Sequence, residues 1–156
     1  MLAILGNYRL KFIHDTVIIL FITREYDYAL RTLRALSVSE RLTVKEICSI
    51  EHIPQPYAYK ILKKLEKASI VKGHRGTHGG YKLISPLQHQ TLYDIYIAVE
   101  ENMCISECMR DGYACPNDKE GGRCAIHKEL LRVQEALIQG LRQRSLAEIL
   151  NAVNAE

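Results

Sequence analysis

The chain has 156 residues, of which 47% are hydrophobic and 25% are charged. This composition is ordinary for a soluble globular protein, and the length suffices to bury a core without disulfides or metals as staples. The formal net charge of +3 argues only weakly for a polyanionic partner, so the distribution of charge matters more than its sum.

The N-terminal residues contain an apolar stretch, 17–22, that is too short to span a bilayer. A signal peptide would place its cations before such a stretch and small residues after it, whereas here charged residues interrupt the segment and bulky ones follow it. We therefore expect a cytoplasmic protein without membrane contact. Residues 1–20 are an extension: an extra helix, a disordered leader or the product of a wrongly assigned start codon.

Two amphipathic segments predict the first helices. Residues 23–38 carry apolar and aromatic side chains at helical spacing, and they follow Thr23, a residue type that caps helices. Residues 43–52 begin with Thr43 and have Glu46 three positions later, which is the pattern of a capping box.

The next segment predicts a basic helix. Pro54 and Pro56 bar a helix before them, but proline suits a first helical position, so the helix is expected over residues 56–68. Its lysines spread over the face opposite its apolar side chains: Lys60, Lys63, Lys64 and Lys67. Two short helices joined by a tight connection, the second one basic, form a helix-turn-helix pattern.

Residues 70–85 predict a β-hairpin. Val71 and residues 81–84 have strand character, and four glycines between them mark a flexible tip. A hairpin directly after a helix-turn-helix is the wing of a winged helix. The predicted fold is therefore mostly α with one small β-hairpin.

Further helices are predicted beyond the wing. Residues 91–102 have one apolar face, residues 126–140 have two apolar stripes, and Ser145 caps a last short helix. A helix that is apolar on two sides packs against two partners, so we expect its own domain on one side and a second subunit on the other. The stripe expected at the dimer interface is Leu130, Val133, Leu137 and Leu141.

Positive charge is concentrated between Pro56 and Arg75, where six lysine and arginine residues accompany one glutamate. A lysine-rich helix alone is more often a solvated face, but this one is second in a helix-turn-helix and precedes a hairpin. DNA phosphates attract such cations, the major groove admits a helix, and a wing arginine suits a narrow minor groove. The predicted DNA-contacting residues are Gln55, Tyr57, Tyr59, Lys60, Lys63, Lys64, Arg75 and His78.

Four of the five cysteines lie in one loop with the spacing Cys104-x3-Cys108-x6-Cys115-x8-Cys124-x2-His127. In a reducing compartment such a cluster indicates metal binding or redox chemistry rather than a structural disulfide. Three thiolates and one imidazole suit either a tetrahedral zinc ion or an iron–sulfur cluster, and the spacing does not choose between them. The remaining alternative is a set of cysteines without a role. Cys48 is expected to be a small buried hydrophobe.

The order of these parts resembles the Rrf-type winged-helix regulators, a family that includes IscR, NsrR and RirA. The resemblance rests on TREYDYALR (23–31), IPQPYAYKILKKLEKASIVKGHRGTHGGYKL (53–83), TLYDIYIAVE (91–100) and the ending CAIH of the cysteine loop. Its most specific piece is RGTHGGY, which is similar to the family's Arg-Gly-x-x-Gly-Gly-Tyr wing. Residues 1–19 lie outside the resemblance.

The resemblance implies a homodimeric transcriptional regulator, a repressor rather than an enzyme, that binds double-stranded operator DNA and no small-molecule substrate. Its parts would be the winged helix-turn-helix domain over 21–100, a cluster-binding loop over 101–125, and the dimerisation helix with a last short helix over 126–156. Two recognition positions, Tyr59 and Lys60, depart from the family's usual residues, so the resemblance does not supply an operator sequence.

The resemblance also implies a cofactor. In IscR-like members three cysteines and a histidine hold a 2Fe–2S cluster, so we carry the ligand roles to Cys108, Cys115, Cys124 and His127. A 2Fe–2S cluster is expected rather than 4Fe–4S, and zinc is the alternative. The cysteine gaps are longer than usual, so two alternative ligands remain: the additional Cys104, and Asp27, which lies where some relatives supply a carboxylate across the dimer.

The function expected from these features is control of operator affinity by a cluster that senses iron–sulfur, redox or nitric-oxide status. A regulator of the same fold that is stabilised by zinc or switched by thiols is the first alternative. An iron–sulfur electron carrier or enzyme is the second, although the sequence has no paired acid and base, nucleotide loop or nucleophile with a partner.

Overall fold

The computed structural model describes residues 12–13, 16–17, 22–76, 79–110, 112–115 and 124–153. Strands β1 (Phe12–Ile13) and β2 (Thr16–Val17) pair antiparallel within the N-terminal extension. The predicted DNA-contacting residue His78 lies outside the described residues.

The helix-turn-helix is built from α1 (Arg24–Ser37), α2 (Val44–Glu51) and α3 (Gln55–Lys67). The predicted capping box is present, because the Thr43 N–H donates to Glu46 Oε2 at 2.7 Å and the Glu46 N–H donates to Thr43 Oγ1 at 3.3 Å. Both contacts satisfy donors that the first turn of α2 leaves without helical partners. Helix α3 begins one residue before the predicted start, at Gln55.

The wing consists of β3 (Val71–His74) and β4 (Gly80–Leu83), which pair antiparallel. A third segment joins them, because Leu42 exchanges two backbone hydrogen bonds with Tyr81, of 3.0 and 2.8 Å. Gly80 has φ of +141°, and a Cβ there would lie 2.7 Å from the Leu42 carbonyl oxygen. The close approach of the segment around Leu42 therefore requires glycine at this position.

Helix α4 (Leu92–Glu100) packs across α1 and α3 and closes the core. The Tyr26 hydroxyl donates to the Leu92 carbonyl oxygen at 2.8 Å, and the Tyr26 ring meets Tyr96 edge-on at 5.2 Å. The helix ends at Glu100, two residues before the predicted end, and Glu101 follows with φ of +68°. The fully buried side chains of the core include Leu33, Ile47, Ile61, Leu62, Leu65 and Ile95.

Two helices complete the described chain, α5 (Ala125–Arg142) and α6 (Leu146–Val153). The Arg142 guanidinium lies 4.1 Å from the centre of the Tyr93 ring, and the Leu146 N–H donates to the Gln90 carbonyl oxygen at 2.7 Å. The predicted fold class, a mostly α winged helix-turn-helix with a small β-hairpin, is confirmed. In the described part of the chain, none of the helices is long and apolar enough to cross a membrane.

Candidate nucleic-acid interface and cysteine pocket

Helix α3 separates a buried side from a polar side. Ala58, Ile61, Leu62 and Leu65 are fully buried against the core. On the opposite side four of the predicted DNA-contacting residues are exposed: Gln55, Tyr59, Lys60 and Lys63. A large aromatic ring that stays about half exposed, as Tyr59 does, is available for contact with a partner.

Tyr57 has a different environment from the other predicted contacts. It is half-buried, packs against the core, and its ring meets Tyr28 edge-on at 5.6 Å. Its apolar body therefore supports the position of α3 on α1.

Glu25 at the start of α1 holds two of the α3 lysines. Its carboxylate accepts from Lys60 Nζ at 2.5 Å and from Lys64 Nζ at 2.8 Å. Burial raises the pKa of Glu25, but the two lysine hydrogen bonds outweigh that effect and hold the pKa below its ordinary value. The glutamate therefore remains charged at neutral pH and ties α1 to α3.

Lys64 reaches a third element. Its ammonium also donates to the Val99 carbonyl oxygen in α4 at 2.5 Å. Because the side chain is half-buried between Glu25 and Val99, this predicted phosphate contact is turned towards the protein. Sequence reasoning missed the role of Glu25, since its partners lie 35 and 39 residues away and no local pattern marks such a pair.

The wing is attached to the end of α3. Glu66 Oε1 accepts a hydrogen bond from the Gly73 N–H at 2.9 Å. A Cβ at Gly73 would lie 3.1 Å from the Tyr81 ring, so the small residue allows the strand to approach this close. Arg75 is exposed beyond the end of β3. These contacts set the direction of the wing relative to α3.

The cysteine loop and the start of α5 enclose a cavity of about 260 Å³. Its lining includes the four expected ligands, Cys108, Cys115, Cys124 and His127, together with Gln134 of α5. The structure thus brings together residues that are up to 19 positions apart in the chain, as their numbers show.

Local structure positions two of these side chains, Cys108 and Cys124. Cys108 lies in a short 3-10 turn, Glu107–Met109, and its sulfur is 3.3 Å from Ser106 Oγ. Cys124 is the N-cap of α5, and its sulfur accepts the His127 N–H at 3.4 Å. Gln134 Oε1 accepts from the Ile105 N–H at 3.1 Å and fastens the beginning of the loop to α5.

The two alternative ligands lie elsewhere. Cys104 is not among the residues that line the cavity, and its thiol donates to the Ser106 carbonyl oxygen at 3.0 Å. Asp27 forms an ion pair of 2.9 Å with Arg31 on the surface of α1. Cys48 packs half-buried against the core, and burial raises the pKa of its thiol.

The donor set of the cavity, three thiols and one imidazole, suits zinc and iron–sulfur clusters. Within the described ranges, no three His, Cys, Asp or Glu side chains lie close enough together to hold a metal ion. The four side chains therefore suit a cluster in the chemistry of their donor atoms and line one cavity, but in the described structure they are not close enough together to bind one.

Helix α5 has no buried residue along its 18 positions. The predicted dimerisation stripe divides into two halves. Leu137 and Leu141 pack against the core of the same chain, whereas Val133 is 43% exposed. Ile126, the second residue of the helix, is 72% exposed. The N-terminal half of α5 thus presents apolar side chains to solvent.

A model of the Rrf2 family, described as an iron-dependent transcriptional regulator, matches residues 22–152. The chain belongs to the Rrf2 family. The match covers the winged helix, the cysteine loop and both C-terminal helices, so the family resemblance of the sequence is confirmed.

Individual relatives agree with this assignment. The Rrf2 chain is 31% identical over 120 residues to protein aau3 of Rhizobium meliloti, covering 74% of this chain and 78% of the relative. It is 25% identical over 135 residues to the transcriptional repressor NsrR of Streptomyces coelicolor, covering 84% and 88% of the two chains. CymR, the global cysteine regulator of B. subtilis, has the same fold, with a TM-score of 0.67 and 22% identity, covering 86% and 98% of the two chains.

As a member of this family the chain is a DNA-binding transcriptional regulator and not an enzyme. The predicted function class, a transcriptional regulator, and the predicted DNA partner are therefore confirmed.

Proposed function

We propose that this Rrf2 protein is a cytoplasmic, homodimeric repressor whose operator affinity is controlled by an iron–sulfur cluster, 2Fe–2S rather than 4Fe–4S. The cluster would be held by Cys108, Cys115, Cys124 and His127. The observation that carries the proposal is the common cavity that these four residues line.

The cavity lies where two segments converge, and each contributes part of the donor set. Cys108 and Cys115 come from the loop, and Cys124 and His127 come from the first turn of an ordered helix. When bound, the cluster would supply a centre that responds to oxidants, nitric oxide and the supply of iron and sulfur. The protein's own residues would bind the cluster through all four side chains at once. Because two of them lie on the loop and two at the start of α5, this binding would hold the loop close to α5.

Movement of the loop has a route to the DNA-reading surface. The loop leaves the end of α4, where Met103 is buried in the core. In the same helix end, the Val99 carbonyl oxygen accepts from Lys64 of α3. A loop drawn towards α5 therefore acts on α4, and α4 is fastened to the helix that is expected to enter the major groove. Control of affinity follows if the two loop states place α3 differently, since a ligand shifts an equilibrium only through differential affinity.

The second subunit is proposed to cover the N-terminal half of α5. The helix is about 27 Å long at 1.5 Å per residue, and Ile126 and Val133 on it are exposed. A second copy can bury the same surface through a two-fold axis. Such a dimer would place its two α3 helices so that they enter successive major grooves, about 34 Å apart.

The alternative is a regulator of the same fold in which these cysteines bind zinc or act as a thiol switch. One observation favours it: in the described residues the four side chains share a cavity without approaching to metal-binding distances. All five cysteines are free thiols in this arrangement.

Anaerobic purification distinguishes these readings. The proposal predicts a brown protein with iron and acid-labile sulfide, and a colourless triple variant C108S/C115S/C124S. The matched control is C104S, a loop cysteine outside the cavity, which should retain the colour. A colourless parent with one zinc per chain would show that these cysteines bind zinc. A parent without metal would support the thiol switch.

A further inference from the structure

We propose that Glu25 limits the affinity of this protein for DNA by withholding Lys60 and Lys64 of α3 from the phosphates. The sequence predicts both lysines as DNA contacts and assigns Glu25 no part in binding. The inference rests on the DNA-binding function. It adds to that function a residue outside α3 that determines how strongly this helix attracts the DNA backbone.

The two lysines lie one turn apart on the same flank of α3. Residues four positions apart in a helix share a face, so one carboxylate can reach both ammonium groups. Each oxygen of Glu25 binds one of them: Oε1 accepts from Lys60 Nζ at 2.5 Å, and Oε2 accepts from Lys64 Nζ at 2.8 Å. An ammonium that is paired with a carboxylate is already neutralised, so it attracts phosphate only weakly.

Glu25 is fixed where it can compete for these lysines. It belongs to the first turn of α1, where the helix dipole favours a negative charge. The start of α1 is itself attached to α4, because the hydroxyl of its N-cap, Thr23, donates to Glu100 Oε1 at 2.5 Å. The anion is therefore a built-in part of the fold.

Burial favours the internal ion pairs over contacts with DNA. The side chain of Glu25 is only 22% exposed, and charges attract each other more strongly where less water surrounds them. A phosphate contact lies at the protein surface, where salt screens it. Movement of Lys60 to a phosphate would also leave a part-buried carboxylate oxygen without its hydrogen bond, which is unfavourable. We therefore expect both lysines to stay on Glu25 when α3 enters the groove.

Lys60 is the lysine that removal of the carboxylate would release. Its side chain is 56% exposed, and Glu25 is the carboxylate that it binds in the described structure. Lys64 is less exposed and also donates to the Val99 carbonyl oxygen at 2.5 Å, so it keeps a partner inside the protein. Removal of the carboxylate therefore adds one cation, Lys60, to the DNA-reading side.

Two other lysines of α3 show the contrast. Lys63 and Lys67 are exposed, and among the described residues neither forms an ion pair with a carboxylate. They remain available to phosphates, whose contacts position a protein on DNA but carry no sequence information. An internal anion that lowers the number of such contacts leaves a larger share of the binding free energy to base contacts. Glu25 therefore favours binding that depends on sequence.

The salt dependence of binding to a short duplex of mixed sequence tests this inference on the full chain. Each phosphate contact contributes about 0.9 to the slope of log K against log salt. E25Q should bind more tightly than the parent, with a slope that is steeper by about 0.9, whereas K60Q should keep the parent's slope. In E25Q/K60Q the slope should return to that of the parent. The matched variant E25Q/K63Q should stay steeper than K63Q by about 0.9.

The direction of the change separates this role from a structural one. Loss of an ion pair that only held α1 on α3 would weaken DNA binding or leave it unchanged, because it would loosen the helix that enters the groove. The proposal instead predicts tighter binding by a variant that is less stable. Weaker or unchanged binding by E25Q would overturn it.

NMR of the lysine ammonium groups gives a second readout. In the parent, the Nζ signal of Lys60, assigned with K60Q, should keep its position when duplex DNA is added, because Glu25 remains its partner. In E25Q the same signal should shift on addition of DNA. A Lys60 signal that shifts equally in the parent and in E25Q would show that Glu25 does not withhold this lysine.

The outcomes separate this inference from the function on which it rests. A parent that binds no duplex DNA would contradict the DNA-binding function. A parent that binds DNA with the same slope and affinity as E25Q would overturn the role of Glu25 alone.

Discussion

Lys64 of α3 donates a hydrogen bond to the carbonyl oxygen of Val99 in α4, over 2.5 Å. The same ammonium binds Glu25 at the start of α1. A single side chain therefore joins the helix that is expected to read DNA to the helix from which the cysteine loop departs. We expect this contact to transmit the state of the loop.

Substitution K64Q removes the charge from this junction. We expect the free energy of unfolding to fall by about 1.5–3 kcal/mol, because hydrogen bonds to charged groups contribute about that much. The ratio of operator affinities between the cluster-loaded and cluster-free forms should also shrink. The exposed neighbour Lys63 supplies the control K63Q, which should change stability by less than about 0.5 kcal/mol. Coupling that survives K64Q intact would exclude this route.

Glu25 gives the fold a defined dependence on acid. Its folded pKa lies below the ordinary value of 4.5, so its stabilising contribution is present above that value. The contribution is lost as pH falls through the folded pKa, because the protonated carboxyl no longer holds Lys60 and Lys64 as ion pairs. Urea unfolding should show E25Q less stable than the parent at pH 7, with a difference that shrinks at an acidic pH below the ordinary value of 4.5. A constant difference at both pH values would contradict this assignment.

Gly80 is expected to tolerate no side chain. Its φ is +141°, and a Cβ would lie 2.7 Å from the Leu42 carbonyl oxygen. We expect G80A to destabilise the protein by about 1–3 kcal/mol, the usual cost of a strained backbone conformation. The matched variant G140A, in open space on α5, should stabilise by up to about 1 kcal/mol through helix propensity. Thermal unfolding of the two variants compares them directly.

A charge added to the N-terminal half of α5 should disrupt the proposed dimer. V133E should convert a dimer to a monomer, because an unpaired charge at the centre of an apolar interface is costly. Q139E adds the same charge at an exposed polar position of the same helix and should leave the dimer intact. Analytical ultracentrifugation measures both. A parent that is monomeric at micromolar concentration would contradict the proposed dimer.

Short-range patterns predicted much of the architecture. Thr43 and Glu46 form the capping box that their spacing of three indicates, and the glycines before Tyr81 lie at the tip of the predicted hairpin and at the start of β4. These features depend on neighbouring residues, so the sequence displays them directly.

Contacts between distant residues were not predictable in the same way. Lys64 has the sequence context of a phosphate contact, yet it binds Val99 and Glu25 inside the protein. The apolar stripe on α5 recurs regularly at helical spacing. Leu137 and Leu141 nevertheless pack on the chain's own core, whereas Val133 does not. Periodicity identifies an apolar face, whereas tertiary packing decides which part of that face is covered.

The cluster hypothesis is tested most directly by operator affinity, measured anaerobically on one preparation before and after removal of its cluster. The account predicts a change of at least about tenfold, or 1.4 kcal/mol, which is absent in C108S/C115S/C124S and retained in C104S. An iron–sulfur-loaded parent whose affinity is the same in both states, or is matched by the triple variant, would contradict it.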